Sequence, residues 1–207
     1  MRAMTENNRS DHKPVLDASG AIGHTHVMSN ETIEPLRLPP AVSDEQELIE
    51  LLTACVQAGG SLGFVLKHAR EEVTEYWQKI FDGYARGARL LLVARDAASG
   101  TIVGSGQLAF EPRSNGRHRA EVQKLLVLPS HRRRGIASRL MQRIEAEAQS
   151  RSLRLLFLDT SVGPGGAVEF YHALGYKPAG GFPDYAMDPD GTLKPNAFFY
   201  RLLEPKT

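Results

Sequence analysis

A chain of 207 residues, 42% hydrophobic and 24% charged, has the length and balance of one globular domain with a hydrophobic core. A net charge of +1 supplies no global field toward nucleic acid or a membrane surface, so an anion site must be a local cluster. The single cysteine, Cys55, excludes an intrachain disulfide and a cysteine metal cage, and the chain holds no apolar run of bilayer-spanning or signal-peptide type.

Residues 1–30 are polar and aperiodic and read as a flexible leader outside the fold. His24 and His26 lie in it without other ligands nearby, so solvated histidines are expected there rather than a metal site. The domain is expected to occupy 31–207. Thr32 to Leu38 alternates like an edge strand, the one sheet position that tolerates Pro35. Ser43 to Gln46 reads as a capping box, with Ser43 as N-cap and Gln46 at N3. The helix after it buries Leu48, Leu51, Leu52 and Cys55 and stops at Gly59-Gly60. A second helix carries Val73, Trp77, Ile80, Phe81 and Tyr84 at helical spacing, with Trp77 expected in the core.

Strands follow at Leu90–Ala94 and Ile102–Leu108, paired as a hairpin, and a long one runs from His118 to Leu128 until Pro129 ends it. A helix spans Ile136–Ser150, a buried strand Leu153–Leu158, and a short helix Ala167–Leu174. A last strand pair uses Tyr176–Pro178 and Ala197–Leu202. This order predicts an α/β domain with a mixed, largely antiparallel sheet, distinct from a Rossmann alternation.

The chemically informative stretch is Val127 to Ala137, a strand, a turn, a glycine and a helix start. Arg132, Arg133 and Arg134 there oppose the positive helix end at about 0.3–1 kcal/mol each. A sequence that accepts this cost has a polyanion to place. Gly135, Ile136 and Ala137 let backbone N–H groups approach a phosphate. The alternative, a plain basic or nucleic-acid patch, lacks the interleaved aromatics and net charge that such a surface uses. Ser105, in Gly104-Ser105-Gly106, has no nucleophile elbow around it, which disfavours a hydrolase.

The pattern Arg132-x-x-Gly135-x-Ala137 resembles the pyrophosphate-binding motif of the GNAT superfamily of N-acetyltransferases, and Phe170-Tyr171-His172-Ala173-Leu174-Gly175-Tyr176 resembles its second motif. Within the superfamily, Gly59–Phe64, Ala120–Leu125, Leu158–Thr160 and Pro189–Ala197 are similar to the tabtoxin-resistance acetyltransferases. The resemblance implies a GNAT fold with splayed central strands flanked by helices, and acetyl-CoA as cosubstrate. It further implies a small-molecule amine as acceptor, of the β-lactam amino-acid toxin or antibiotic kind, and hence an antibiotic-resistance role in the cytoplasm. A protein or peptide amine is the alternative acceptor, and a non-catalytic acetyl-CoA sensor the alternative class. A second copy of the chain is a candidate partner; nucleic acid, membrane and metal are not expected.

By the same resemblance, the backbone of Leu125, Leu126 and Val127 recognises the acetyl group and supplies an oxyanion donor. Glu121 and Asp159 bind or deprotonate the acceptor amine, and Tyr171 protonates the leaving thiolate. Read as ordinary residues, Glu121 would pair with Arg119 or Lys124, Asp159 would cap the following loop, and Tyr171 would be a core tyrosine. Pro164 stands where the superfamily often has an asparagine that holds the pantetheine arm.

Overall fold

The computed structural model describes residues 30–64, 69–163, 166–188 and 190–204. The expected leader, with His24 and His26, lies outside the described residues except for Asn30, whose carbonyl accepts from the Ala97 N–H at 2.6 Å. No described helix is long and apolar enough to cross a membrane.

Among the described residues, nine strands and four helices follow the expected order, with one addition. They are β1 (Glu31–Pro35), α1 (Val42–Gln57), α2 (Ala69–Ala85), β2 (Arg89–Asp96), β3 (Ile102–Phe110), β4 (Arg119–Val127) and α3 (Ile136–Ser150). Then come β5 (Leu155–Ser161), α4 (Ala167–Ala173), β6 (Lys177–Gly180), β7 (Ala186–Met187), β8 (Leu193–Lys194) and β9 (Asn196–Leu202). The small β7–β8 hairpin is the addition; its strands are too short to show a period. The main sheet has seven strands in the order β1-β2-β3-β4-β5-β9-β6. Pro35 lies in the edge strand β1, as its missing N–H requires. Every neighbouring pair is antiparallel except β4–β5, joined through α3.

The predicted capping box does not form. Helix α1 starts two residues earlier than that box requires, with Ala41 as N-cap and no side-chain cap. Asp44 instead pairs with Arg95 at 2.9 Å, and Gln46 donates to Glu50 at 2.8 Å. A charge-assisted bond to a half-buried arginine outweighs a neutral cap and ties α1 to the sheet.

Each face of the sheet carries its own core. Leu140, Met141, Ile144 and Ala148 of α3 pack with Leu92, Ala120, Leu156 and Phe199 on one face. Leu48, Leu52, Val73 and Trp77 of α1 and α2 pack with Leu91, Val93 and Leu126 on the other. The Gly104-Ser105-Gly106 run serves this packing. A Cβ on Gly106 would stand 2.9 Å from Ile144 Cδ1, so the missing side chains let α3 lie close on β3. Ser105 is wholly buried and no nucleophile.

Trp77, fully buried in the second core, gives a stability test. Trp77→Ala is expected to lower the unfolding free energy in urea by about 3–5 kcal/mol. Lys79→Ala, on the exposed side of the same helix, should stay within about 0.5 kcal/mol.

Candidate active site

Strands β4 and β5 pair only at Arg119 with Leu155, Ala120 with Leu156 and Glu121 with Phe157. Beyond Glu121 they part, so peptide groups of both strands face a gap. The cause lies one turn of pleat further along β4. Ser105 faces Leu126 and Gln107 faces Gln123, which leaves Lys124 and Leu125 together opposite Gly106. This is a β-bulge, and Lys124 takes a left-handed φ of 47°. A bulge bends its strand and raises the local twist, here swinging the end of β4 away from β5.

A cleft of about 900 Å³ opens at the gap. Leu125, Leu126 and Val127 line it, with Arg132, Arg133, Gly135, Ile136 and Ala137 at one end and Tyr171 on the opposite wall. Gly135 is the N-cap of α3 at φ 75°, a conformation suited to glycine. A Cβ there would meet no atom within 4 Å, so the peptide is open to a ligand. The N–H groups of Gly135, Ile136, Ala137 and Ser138 have no backbone or side-chain acceptor among the described residues. Unpaired donors, the helix dipole and Arg133 together fit a diphosphate. Arg134 is the exception in this set. Its guanidinium turns back to the Ser130 carbonyl at 3.1 Å and does not line the cleft. Cys55 is buried, as expected, and its thiol donates to the Val127 carbonyl at 3.4 Å. Pro164 lies outside the described residues.

Glu121 and Asp159 stand on the α1/α2 side of the gap, since their neighbours Ala120, Val122 and Leu158 point into the α3 core. Neither takes the ordinary partner expected from sequence. Arg119 pairs with Glu111 at 3.0 Å. Among the described residues Glu121 makes no ion pair and accepts one hydrogen bond, from Gln123 Nε2 at 2.9 Å. Asp159 caps no loop there. Burial, and then the Asp159 charge, push the Glu121 carboxyl above its ordinary value. Tyr171 is buried against Phe170, Tyr176 and Phe199. Burial, with the Asp159 charge second, raises its hydroxyl well above the ordinary tyrosine range, so it holds its proton.

Sequence periodicity missed Lys124 as a site residue. Regular alternation from Glu121 would send position 124 to the α3 face. The bulge returns it to the α1/α2 face, where its Nζ lies 5.4 Å from the Tyr76 ring centroid and 6.0 Å from that of Phe64. Burial lowers its pKa, and the Asp159 and Glu121 charges oppose that shift. Beneath it, Arg89 donates to Gln107 at 2.9 Å, and Gln107 donates to the Tyr76 hydroxyl at 2.8 Å. The Gly59–Phe64 segment was the one signal for this wall.

A domain of this topology, with an arginine-rich turn leading into a helix after the splayed strand, is that of an acetyltransferase. The chain belongs to the Acetyltransferase (GNAT) family, whose model matches residues 47–176. An uncharacterized N-acetyltransferase from the hisH-hisA intergenic region of Azospirillum brasilense is 35% identical over 118 residues, 56% of this chain and 67% of that protein. An IAA acetyltransferase of the same organism is 38% identical over 98 residues, 47% of this chain and 61% of that protein. Among solved structures, an N-acetyltransferase from Staphylococcus aureus Mu50 superposes with a TM-score of 0.70 at 19% identity, over 85% of this chain and all of that one. A phosphinothricin acetyltransferase from Sinorhizobium meliloti, solved with AcCoA, gives 0.69 at 18% identity over 86% of this chain and 94% of that one. The Salmonella typhimurium protein yncA, solved with its cofactor acetyl-CoA, gives 0.69 at 16% over 86% and 97%.

The charge cluster can be tested by titration. Asp159→Asn removes a negative charge that raises both Glu121 and Lys124. Carbon-detected NMR should therefore show both midpoints moving down in the variant. An unmoved Glu121 would mean that the two carboxylates do not share a site.

Proposed function

We propose that the chain transfers the acetyl group of acetyl-CoA to the amine of a small molecule that carries an acid group beside it. The carrying observation is the gap between β4 and β5: its cleft runs along residues 125–127 to the start of α3, and Glu121, Asp159 and Lys124, which are not among its lining residues, cluster on the α1/α2 face of the same two strands. Acetyl-CoA supplies an activated thioester carbonyl. The Gly135–Ala137 turn and Arg133 hold its diphosphate, and the backbone of Leu125–Val127 stands beside the acetyl group, where an N–H stabilises developing negative charge.

Glu121 and Asp159 attract a protonated amine. Glu121, raised by burial, then takes its proton, because a base of raised pKa drives proton transfer better than an ordinary carboxylate. Lys124, which feels the charges of Asp159 and Glu121, suits a carboxylate on the acceptor. A zwitterionic amino acid fits this charge pattern, and the resemblance to tabtoxin-resistance enzymes points to the β-lactam kind and to a resistance role. Tyr171, kept protonated, gives its proton to the departing thiolate and regains one from the nitrogen as the amide forms.

Two sets of variants test this function. Gly135→Val puts a branched side chain into the cleft, and calorimetry is expected to find acetyl-CoA binding lost in a protein still folded by circular dichroism. Arg133→Ala should weaken binding by about 1–3 kcal/mol, with less loss in high salt. Arg134→Ala should cost less, since its side chain is spent on Ser130.

The catalytic set separates the roles. Tyr171→Phe should keep acetyl-CoA affinity and lose roughly 10²–10⁴ in kcat. In the wild type, rate should fall as pH drops through the raised Glu121 pKa, because the base is then protonated. Glu121→Gln should flatten that limb and lower kcat. A Glu121→Gln enzyme with the wild-type pH profile would assign deprotonation elsewhere.

A further inference from the structure

Among the described residues, helices α1 and α2 cover β2, β3 and β4 and contribute no core contact to β5, β9 or β6, which leaves that part of the sheet face uncovered beside the site. Asp159 and Phe198 face each other across β5 and β9. Their neighbours Leu158 and Phe199 belong to the α3 core, so Asp159 and Phe198 share the open face.

Two rings from the segment between β6 and β7 close on Phe198. Phe182 meets it edge-on at 5.7 Å and Tyr185 at 5.9 Å, and these two stack at 6.1 Å with 17° between their planes. Phe182 is 58% exposed and Tyr185 50%. This exposure is fixed by the backbone beneath. The Phe182 N–H donates to the side-chain oxygen of buried Asn196 at 2.9 Å, and the Asn196 N–H donates to the Phe182 carbonyl at 3.1 Å. Gly181 lies so flat on β9 that a Cβ would overlap the Asn196 carbonyl. Past Tyr185 the same stretch of chain runs on to Asp188 and Lys194, which border the large cleft.

We propose that Phe182, Tyr185 and Phe198 form the wall that receives the body of the acceptor, and that the acceptor carries its amine on an aromatic frame. The inference rests on the acceptor amine being handled at Glu121 and Asp159. An aromatic acceptor gains ring-edge and ring-face contacts there that an alkyl chain of equal length lacks. A second copy of the chain is the poorer occupant. It would bury the adjoining Asp159, Glu121 and Lys124, whereas interface centres are depleted of charge.

The test uses the full chain, acetyl-CoA and free-thiol release with two acceptor pairs: phenylalanine against norvaline, and phenethylamine against butylamine. The aromatic member of each pair should have the higher kcat/KM. Phe182→Leu and Tyr185→Leu, both exposed and apolar-preserving, should each cut that preference by about three- to tenfold. An unchanged preference in both variants overturns the proposal. If sedimentation shows that the variants lose self-association while the preference stays, the patch belongs to a second copy. If none of the four amines is acetylated, saturation-transfer NMR separates the two ideas. Aromatic ligands that bind the wild type and not the variants keep the wall while the transfer reaction falls. Aromatic ligands that bind neither remove the wall as well.

Discussion

Strands β4 and β5 stop exchanging backbone hydrogen bonds after Glu121 and Phe157, and past that point each presents unpaired peptide groups to a gap. Unpaired backbone inside a sheet is costly unless water or a ligand satisfies it. The bulge at Lys124–Leu125 keeps it so, because it bends β4 while the β3–β4 ladder resumes at Leu126 and Val127. The cleft along residues 125–127 and the turn of Lys124 toward the carboxylates both follow from that extra residue. The positive φ of Lys124 is strain of about 1–3 kcal/mol that the surrounding packing sustains.

The gap also divides the electrostatics. One end collects positive potential from the α3 helix terminus and Arg133, with open N–H groups. The α1/α2 side collects exposed Asp159 with Glu121 and Lys124, the latter two partly desolvated by burial. A ligand that bridges these regions must be anionic at one end and meet a mixed charge field at the other. The proposed transfer from acetyl-CoA to an amine beside a carboxylate satisfies both demands. Tyr171 stands on the wall facing the separated strands and feels Asp159, which couples the proposed acid to the proposed acceptor site.

Much of this was legible in the chain. The α3 boundaries matched because apolar spacing, a preceding glycine and a preceding proline agree with one another. The charge pattern of the turn before α3 was legible because its signal is local: three arginines and a glycine within one turn. The family motif around Tyr171 was legible for the same reason. The capping box at Ser43 failed because the decisive partner of Asp44, Arg95, lies 51 residues away. In the sequence Lys124 offers itself only as a partner for Glu121, because strand alternation has no symbol for a bulge. Phe182 and Tyr185 sit in an aperiodic segment whose path depends on Asn196 and Gly181 packing on β9.

The sequence by itself determined the order of the main elements, the apolar faces of the helices and the arginine-glycine turn before α3, since each is set by propensity, periodicity or charge within a few residues. Tertiary structure alone decided that β4 and β5 part after three residue pairs, that Arg134 turns away while Arg133 faces the cleft, and that Lys124 joins Glu121 and Asp159. Those outcomes depend on register between strands far apart in the chain, where one extra residue sends a side chain to the opposite face.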